Sequence, residues 1–243
     1  MKLLSIFALT ALALTSPALA VPIPTLQARP TASATGLVPG VTKLSAQAIA
    51  YEPRSAANPA PLILFLADSS IDADTIVEQY RGEADKRGAI LLALDPSGGG
   101  WTLKPGANGA ADFGADPQNI DTALQALFVK AAIDPSRSVI VGHGDAANYA
   151  LAVGLTNPQL FHGIVAMTPS GLWLPSTGDK SQRIFLSHGM RDDVVPFKNT
   201  RDTIAPGLKS NGFAVVTEWP NEGHDIDRRM VAAGLDAVMA PAR

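Results

Sequence analysis

The chain has no cysteine among its 243 residues. That excludes a disulfide framework, thiolate metal ligation and a lipid anchor on a processed N-terminal cysteine. It does not imply a reducing compartment, because a domain of this size builds a core without covalent staples. Charge is sparse at 17%, with a net of −3. Without a basic patch or an arginine-rich segment, neither nucleic acid nor an anionic membrane surface is an expected partner. Only four histidines occur. They lie far apart, with no H-E-x-x-H or paired-cysteine spacing, so neither metal nor cofactor is expected. Asp225-Ile226-Asp227 lacks the rest of a calcium loop, and Gly98-Gly99-Gly100 lacks the Lys-Ser/Thr of a phosphate loop.

The longest apolar run, Leu3 to Thr15, is too short to span a bilayer. Lys2 precedes it and Ala18-Leu19-Ala20 follows, the layout of a cleaved secretory signal over residues 1–20. A periplasmic or secreted protein is therefore expected, with no membrane anchor after cleavage. Residues 21–43, rich in Pro, Ala, Thr and Gly without periodicity, read as a flexible leader. Residues 44–243, in a chain that is 47% hydrophobic, suit one sizeable domain. The sequence does not set its oligomeric state.

Within that domain strand and helix patterns alternate. Strands are expected over 47–51, 62–66, 89–94, 139–141, 163–167, 184–187 and 213–219. Helices are expected over 72–87, 117–133, 145–155, near 199–210, and from Asp225 onward. Several of the strands are unbroken apolar runs, which predicts an α/β domain whose mostly parallel sheet is covered on both faces. A long loop rich in glycine and proline, 95–116, carries Trp101.

In such sheets the loops at the carboxyl ends of the strands hold ligands. Three stand out: Gly142-His143-Gly144-Asp145-Ala146 between a strand and a helix, His188-Gly189-Met190-Arg191-Asp192-Asp193-Val194-Val195-Pro196, and Asn221-Glu222-Gly223-His224-Asp225. With these loops in this order, the chain from about Gly36 to Ala240 resembles α/β-hydrolases of the carboxylesterase/phospholipase group, related to secreted polyester depolymerases and feruloyl esterases. The resemblance implies a nucleophile elbow at 142–146, an acid at Asp192 and a histidine at His224. It also implies oxyanion-hole N–H groups at Ser69 and Asp145. His188 is expected to hold its loop, and His162 to be a strand-boundary residue.

Three departures stand against that pattern. The nucleophile falls on Gly144, which has no side chain to attack with. The glycine that lets helix and strand approach falls on Ala146, whose methyl is expected to crowd the turn. The L-H-G-x-G-G loop reads Leu66-Ala67-Asp68-Ser69-Ser70-Ile71, which is expected to bring a carboxylate close to a developing oxyanion. Losing the nucleophile of a serine triad costs about 10⁶ in turnover. A pseudo-hydrolase that binds a small ester or acyl ligand is therefore expected, in a pocket shaped by Trp101, Trp173, His143 and the glycine-rich loop. Two other readings stay open. One is hydrolysis by a water activated by His224 and Asp192, or by a substitute nucleophile at Ser69, Ser70, Ser170 or Asp145. The other is a non-catalytic extracytoplasmic interaction domain.

Overall fold

Unbroken apolar strands put two helical layers around one sheet. The structure, a computed structural model, describes residues 24–31, 34–105, 111–175 and 178–240; the expected signal segment, 1–20, lies outside them. In chain order the elements are β1 (Gly40–Lys43), β2 (Ala48–Glu52), β3 (Leu62–Leu66), α1 (Ala73–Arg87), β4 (Ile90–Leu94), β5 (Lys104–Pro105), β6 (Ala111–Asp112), α2 (Asp116–Phe128), β7 (Val139–His143) and α3 (Asp145–Thr156). There follow β8 (Gly163–Met167), β9 (Arg183–Ser187), α4 (Phe197–Asn199), a π-helical stretch (Thr200–Ile204), α5 (Ala205–Ser210), β10 (Ala214–Glu218) and α6 (Arg228–Met239).

Eight strands form one sheet in the order β1-β2-β4-β3-β7-β8-β9-β10. The pairs β1–β2 and β2–β4 are antiparallel, and every later pair is parallel. Alternation within the strands splits the core in two. Leu62, Leu64, Leu66 and Ile140 face α2 and α3, while Ile63, Phe65, Val139 and Val141 face α1 and α6. Local signals set the helix ends. Asp72 caps α1 by accepting from Thr75 N at 2.8 Å, and Gly88 closes it in the left-handed region at φ 57°.

Three expectations need correction. Helix α2 ends at Phe128, not Ile133, because residues 129–131 turn toward the bridge between Ile133 and Ala60. The last helix begins at Arg228, capped by Asp227, and not at Asp225. The described part of the leader is also packed in place. Leu26 and Ala28 are buried in the core, the Gln27 and Ala28 N–H groups both donate to Asp121 Oδ1 at 2.7 Å, and residues 40–43 form an edge strand. Side chains carried by α2 and α3 hold this segment, so its own composition gives no sign of it.

Candidate functional site

The carboxyl ends of β3, β7, β9 and β10 meet around Gly144, which caps α3 at φ 58°, ψ −121°. This backbone region is strained for any residue with a Cβ. Its N–H donates to Met167 O at 3.0 Å and faces Thr168 Oγ1 at 3.2 Å. Thr168 is itself left-handed at φ 52°. Two adjoining strained residues therefore hold the turn, and no sequence pattern pointed to the second. The close approach of helix and strand falls on Gly142, where a Cβ would lie 2.2 Å from Ala146 O. Ala146 is fully buried in the core at this turn.

Two loops bring the acid and the histidine to this turn. His224 Nδ1 lies 2.9 Å from Asp192 Oδ2. The Asp192 side chain is fully buried, while that of His224 is 27% exposed. Burial opposes ionisation of Asp192, but the N–H groups of Val195 and Val194 and the His224 contact outweigh it and hold the carboxyl below its usual range. Its neighbour Asp193 is exposed. On the other side, His224 Nε2 lies 4.0 Å from where a Cβ on Gly144 would stand, and among the described residues no other heavy atom outside the turn is as near.

His188 acts as the loop holder its position suggested. Its Nε2 lies 3.0 Å from Val195 O and 3.1 Å from Asp192 Oδ2, and its Nδ1 2.7 Å from Thr200 Oγ1. Burial pushes this imidazole below its usual value, and Nε2, which faces only acceptors in the acid loop, donates to it. His162 sits just before β8, its N–H on Ser138 O.

The loop after β3 differs from expectation. Asp68 lines the cleft, but its carboxylate is already engaged. Its Oδ2 lies 2.5 Å from His143 Nδ1, and the two side chains are 6% and 3% exposed. Its Oδ1 accepts from the Ser70 N–H at 2.7 Å and the Ser70 hydroxyl at 2.5 Å. These hydrogen bonds outweigh the burial that opposes ionisation and keep the Asp68 carboxyl low. His143 Nε2 in turn lies 2.6 Å from His224 O. Nothing in the sequence joins Asp68 to His143, 75 residues apart.

Asp68, Ser69, Ser70, Gly144 and Asp145 line a cleft of ≈ 470 Å³ together with His143, Asn148, Ser170, Val194, Val195, His224 and Asp225. The Asp145 carboxylate caps its own end of α3, accepting from Trp101 N at 2.8 Å and Ala146 N at 2.9 Å. Burial pushes this carboxyl up. The Ser70 hydroxyl is engaged by Asp68, and Ser170 Oγ accepts from Asn148 Nδ2 at 2.9 Å. Among the described residues no hydrogen bond joins these hydroxyls or Asp145 to His224. Asn148 also accepts from the N–H groups of Ser170 and Gly171. An amide inside an apolar, alanine-rich helix run was the one sequence signal that marked it. The two tryptophans expected in the pocket stand elsewhere. Trp101 is buried against Tyr149 with ring centroids 4.9 Å apart, and Trp173 packs partly buried on the core beside Gly171. Among the described residues no group of three His, Asp or Glu side chains is arranged to hold a metal ion, and no helix is long and apolar enough to cross a membrane.

No protein-family model matches the chain, and no curated protein matches it in sequence. Solved structures do resemble it. Esterase PE8 is similar with a TM-score of 0.57 at 21% identity, over 76% of this chain and 94% of that one. A Bacillus cereus carboxylesterase gives 0.58 at 16%, over 78% and 91%. A phospholipase/carboxylesterase from Dyadobacter fermentans gives 0.57 at 16%, over 85% and the full 100%. With its mostly parallel eight-stranded sheet flanked by helices and these structural likenesses, this chain has the α/β-hydrolase fold in a single domain.

Proposed function

We propose that this protein is a pseudo-hydrolase of the serine carboxylesterase/phospholipase lineage, exported by its N-terminal segment to the periplasm or the medium. Its cleft binds a small ester or acyl ligand without serine chemistry. The observation that carries this reading is the retained pairing of Asp192 with His224, aimed at a residue with no side chain. An acid–base pair placed 4.0 Å from a nucleophile's Cβ position is what a serine enzyme needs. Glycine at 144 removes the atom that would attack. Asp145 reinforces the reading, because its carboxylate sits at the start of α3 and takes up the Ala146 N–H there, where a free helix terminus would favour an oxyanion.

Short-chain aryl-ester hydrolysis by wild type, Gly144→Ser and His224→Ala tests it. Wild type is expected to be flat and Gly144→Ser to gain turnover that His224→Ala removes from the double variant. Binding of the same esters to wild type, followed by thermal shift, completes the test. Turnover by wild type that His224→Ala abolishes would instead favour a water held in the space beside Gly144, the second reading that the open geometry there supports.

A further inference from the structure

Both ring nitrogens of His143 face oxygens. Nε2 lies 2.6 Å from the carbonyl of His224, which only accepts, and Nδ1 lies 2.5 Å from Asp68 Oδ2. A neutral imidazole beside a carboxylate holds one proton for these two contacts. The second contact would then set two lone pairs against each other in a site where both side chains are more than nine-tenths buried, a cost water cannot relieve. Two protons must therefore sit in the two bonds. Whichever atom holds the second, the pair as a unit carries no net charge.

We propose that Asp68 and His143 form a buried, charge-neutral pair whose Nε2–H positions His224 by donating to its carbonyl. In a serine enzyme the histidine is steadied by its acid on one side and the nucleophile's hydroxyl on the other. Here the hydroxyl is gone, and the main-chain bond from His143 supplies a second fixed point beside Asp192. Because Asp68 also takes the Ser70 N–H and hydroxyl, the loop after β3 and the histidine loop are tied through one ring. The pair also accounts for the carboxylate that the sequence places in the oxyanion loop: it is neutralised within the wall of the cleft. His143 is a positioning residue on this account. The proposal rests on His224 being the working group of the cleft, as proposed above.

Nuclear magnetic resonance of histidine-¹⁵N-labelled wild type at neutral pH tests the charge state, with His143→Gln assigning the signals. A proton on Nε2 together with a second, far-downfield proton between Nδ1 and Asp68 supports the pair, whichever of those two atoms holds it; a bare Nε2, or no far-downfield proton, overturns it. Positioning is read from the His224 Nδ1 proton on Asp192. It is expected to broaden into exchange in His143→Phe and to persist in His143→Gln, whose amide can still donate. Persistence in His143→Phe overturns the positioning role, and so does loss in a His143→Gln that remains folded. In the Gly144→Ser background His143→Phe should lower kcat by about 10- to 100-fold with KM near its starting value, and His143→Gln should recover part of it. A Gly144→Ser protein without turnover would count against the proposed function, while the two resonance readouts would still decide this pair.

Discussion

His224 and Gly144 face each other across 4.0 Å, measured from the imidazole Nε2 to the place a Cβ would take. The histidine is oriented as though an atom stood there. The backbone of Gly144 tells the same story, since φ 58° with ψ −121° is the conformation of a residue forced to project between a strand and a helix. Glycine adopts it at little cost, whereas a residue with a Cβ does not.

That difference can be measured. Gly144→Ala is expected to lower stability by about 1–3 kcal/mol, the usual size of such backbone strain, with no clash added, because among the described residues no atom outside the turn lies nearer the new methyl than His224 Nε2. Urea denaturation of both proteins checks it. An alanine variant as stable as wild type would mean that residue 144 does not adopt this conformation. Gly144→Ser should show a similar loss alongside its gain in turnover, which separates the cost of the elbow from its use.

The layered α/β architecture was legible because runs such as Leu62–Leu66 and Ile90–Leu94 are buried on both faces and carry that fact in their composition. The three loops were legible because turn residues and chemistry-bearing residues coincide within a few positions. What stayed hidden depends on partners distant in sequence. Asp68 read as a free carboxylate because its partner lies 75 residues away. Trp101 looked like a pocket wall because a glycine-rich loop conceals the buried tyrosine it packs against. Positive φ at Thr168 had no local sign, since a β-branched residue there is disfavoured and only the surrounding packing enforces it.

Gly189 joins the acid loop to the histidine loop. A Cβ on it would lie 2.2 Å from Gly223 O and 2.5 Å from Glu222 O, backbone atoms that cannot swing aside. The contact is stitched further by Arg191 N donating to Glu222 O at 2.9 Å. Gly189→Ala is expected to push the loops apart, costing about 1–3 kcal/mol as an overpacked site does. It should also remove the hindered His224 Nδ1 proton signal that the Asp192 bond protects. An intact signal with unchanged stability would contradict the close approach.

Acid should weaken the fold in two stages. Unfolded, an imidazole takes a proton below about pH 6.5; the buried His188 resists protonation to lower pH. Its contribution is complete above that value and is lost as pH falls through it. Asp192 and Asp68, held below their usual range, contribute in full above about pH 3.9 and lose that contribution as pH drops further. Asp145 and Asp95, both pushed up by burial, act with the opposite sign and blunt the second stage. Urea midpoints across pH 8 to 3 (about the range where both group types titrate) should therefore decline first below the histidine value. His188→Gln should flatten that first decline while leaving the second. A first stage of equal depth in His188→Gln would assign it to another group.

Asp121 fixes the segment that composition presents as loose. Its Oδ1 accepts the N–H groups of Gln27 and Ala28, both at 2.7 Å, from within α2. Asn157 at the end of α3 accepts from Leu26 N at 2.8 Å. Between these two anchors Leu26 and Ala28 enter the core at 1% and 2% exposure. Hydrogen bonds to a charged acceptor contribute roughly 1.5–3 kcal/mol each, so the two to Asp121 together outweigh what this short segment gains from burying one leucine, about 1.5–3 kcal/mol, against the entropy of ordering its backbone. Asp121→Ala should therefore free residues 24–31 while the sheet stays folded, because the remaining strands do not depend on them. Limited proteolysis or amide exchange would show the segment opening in the variant and protected in wild type. Equal protection in both would mean that the apolar contacts of Leu26 alone hold it, and that the carboxylate is incidental.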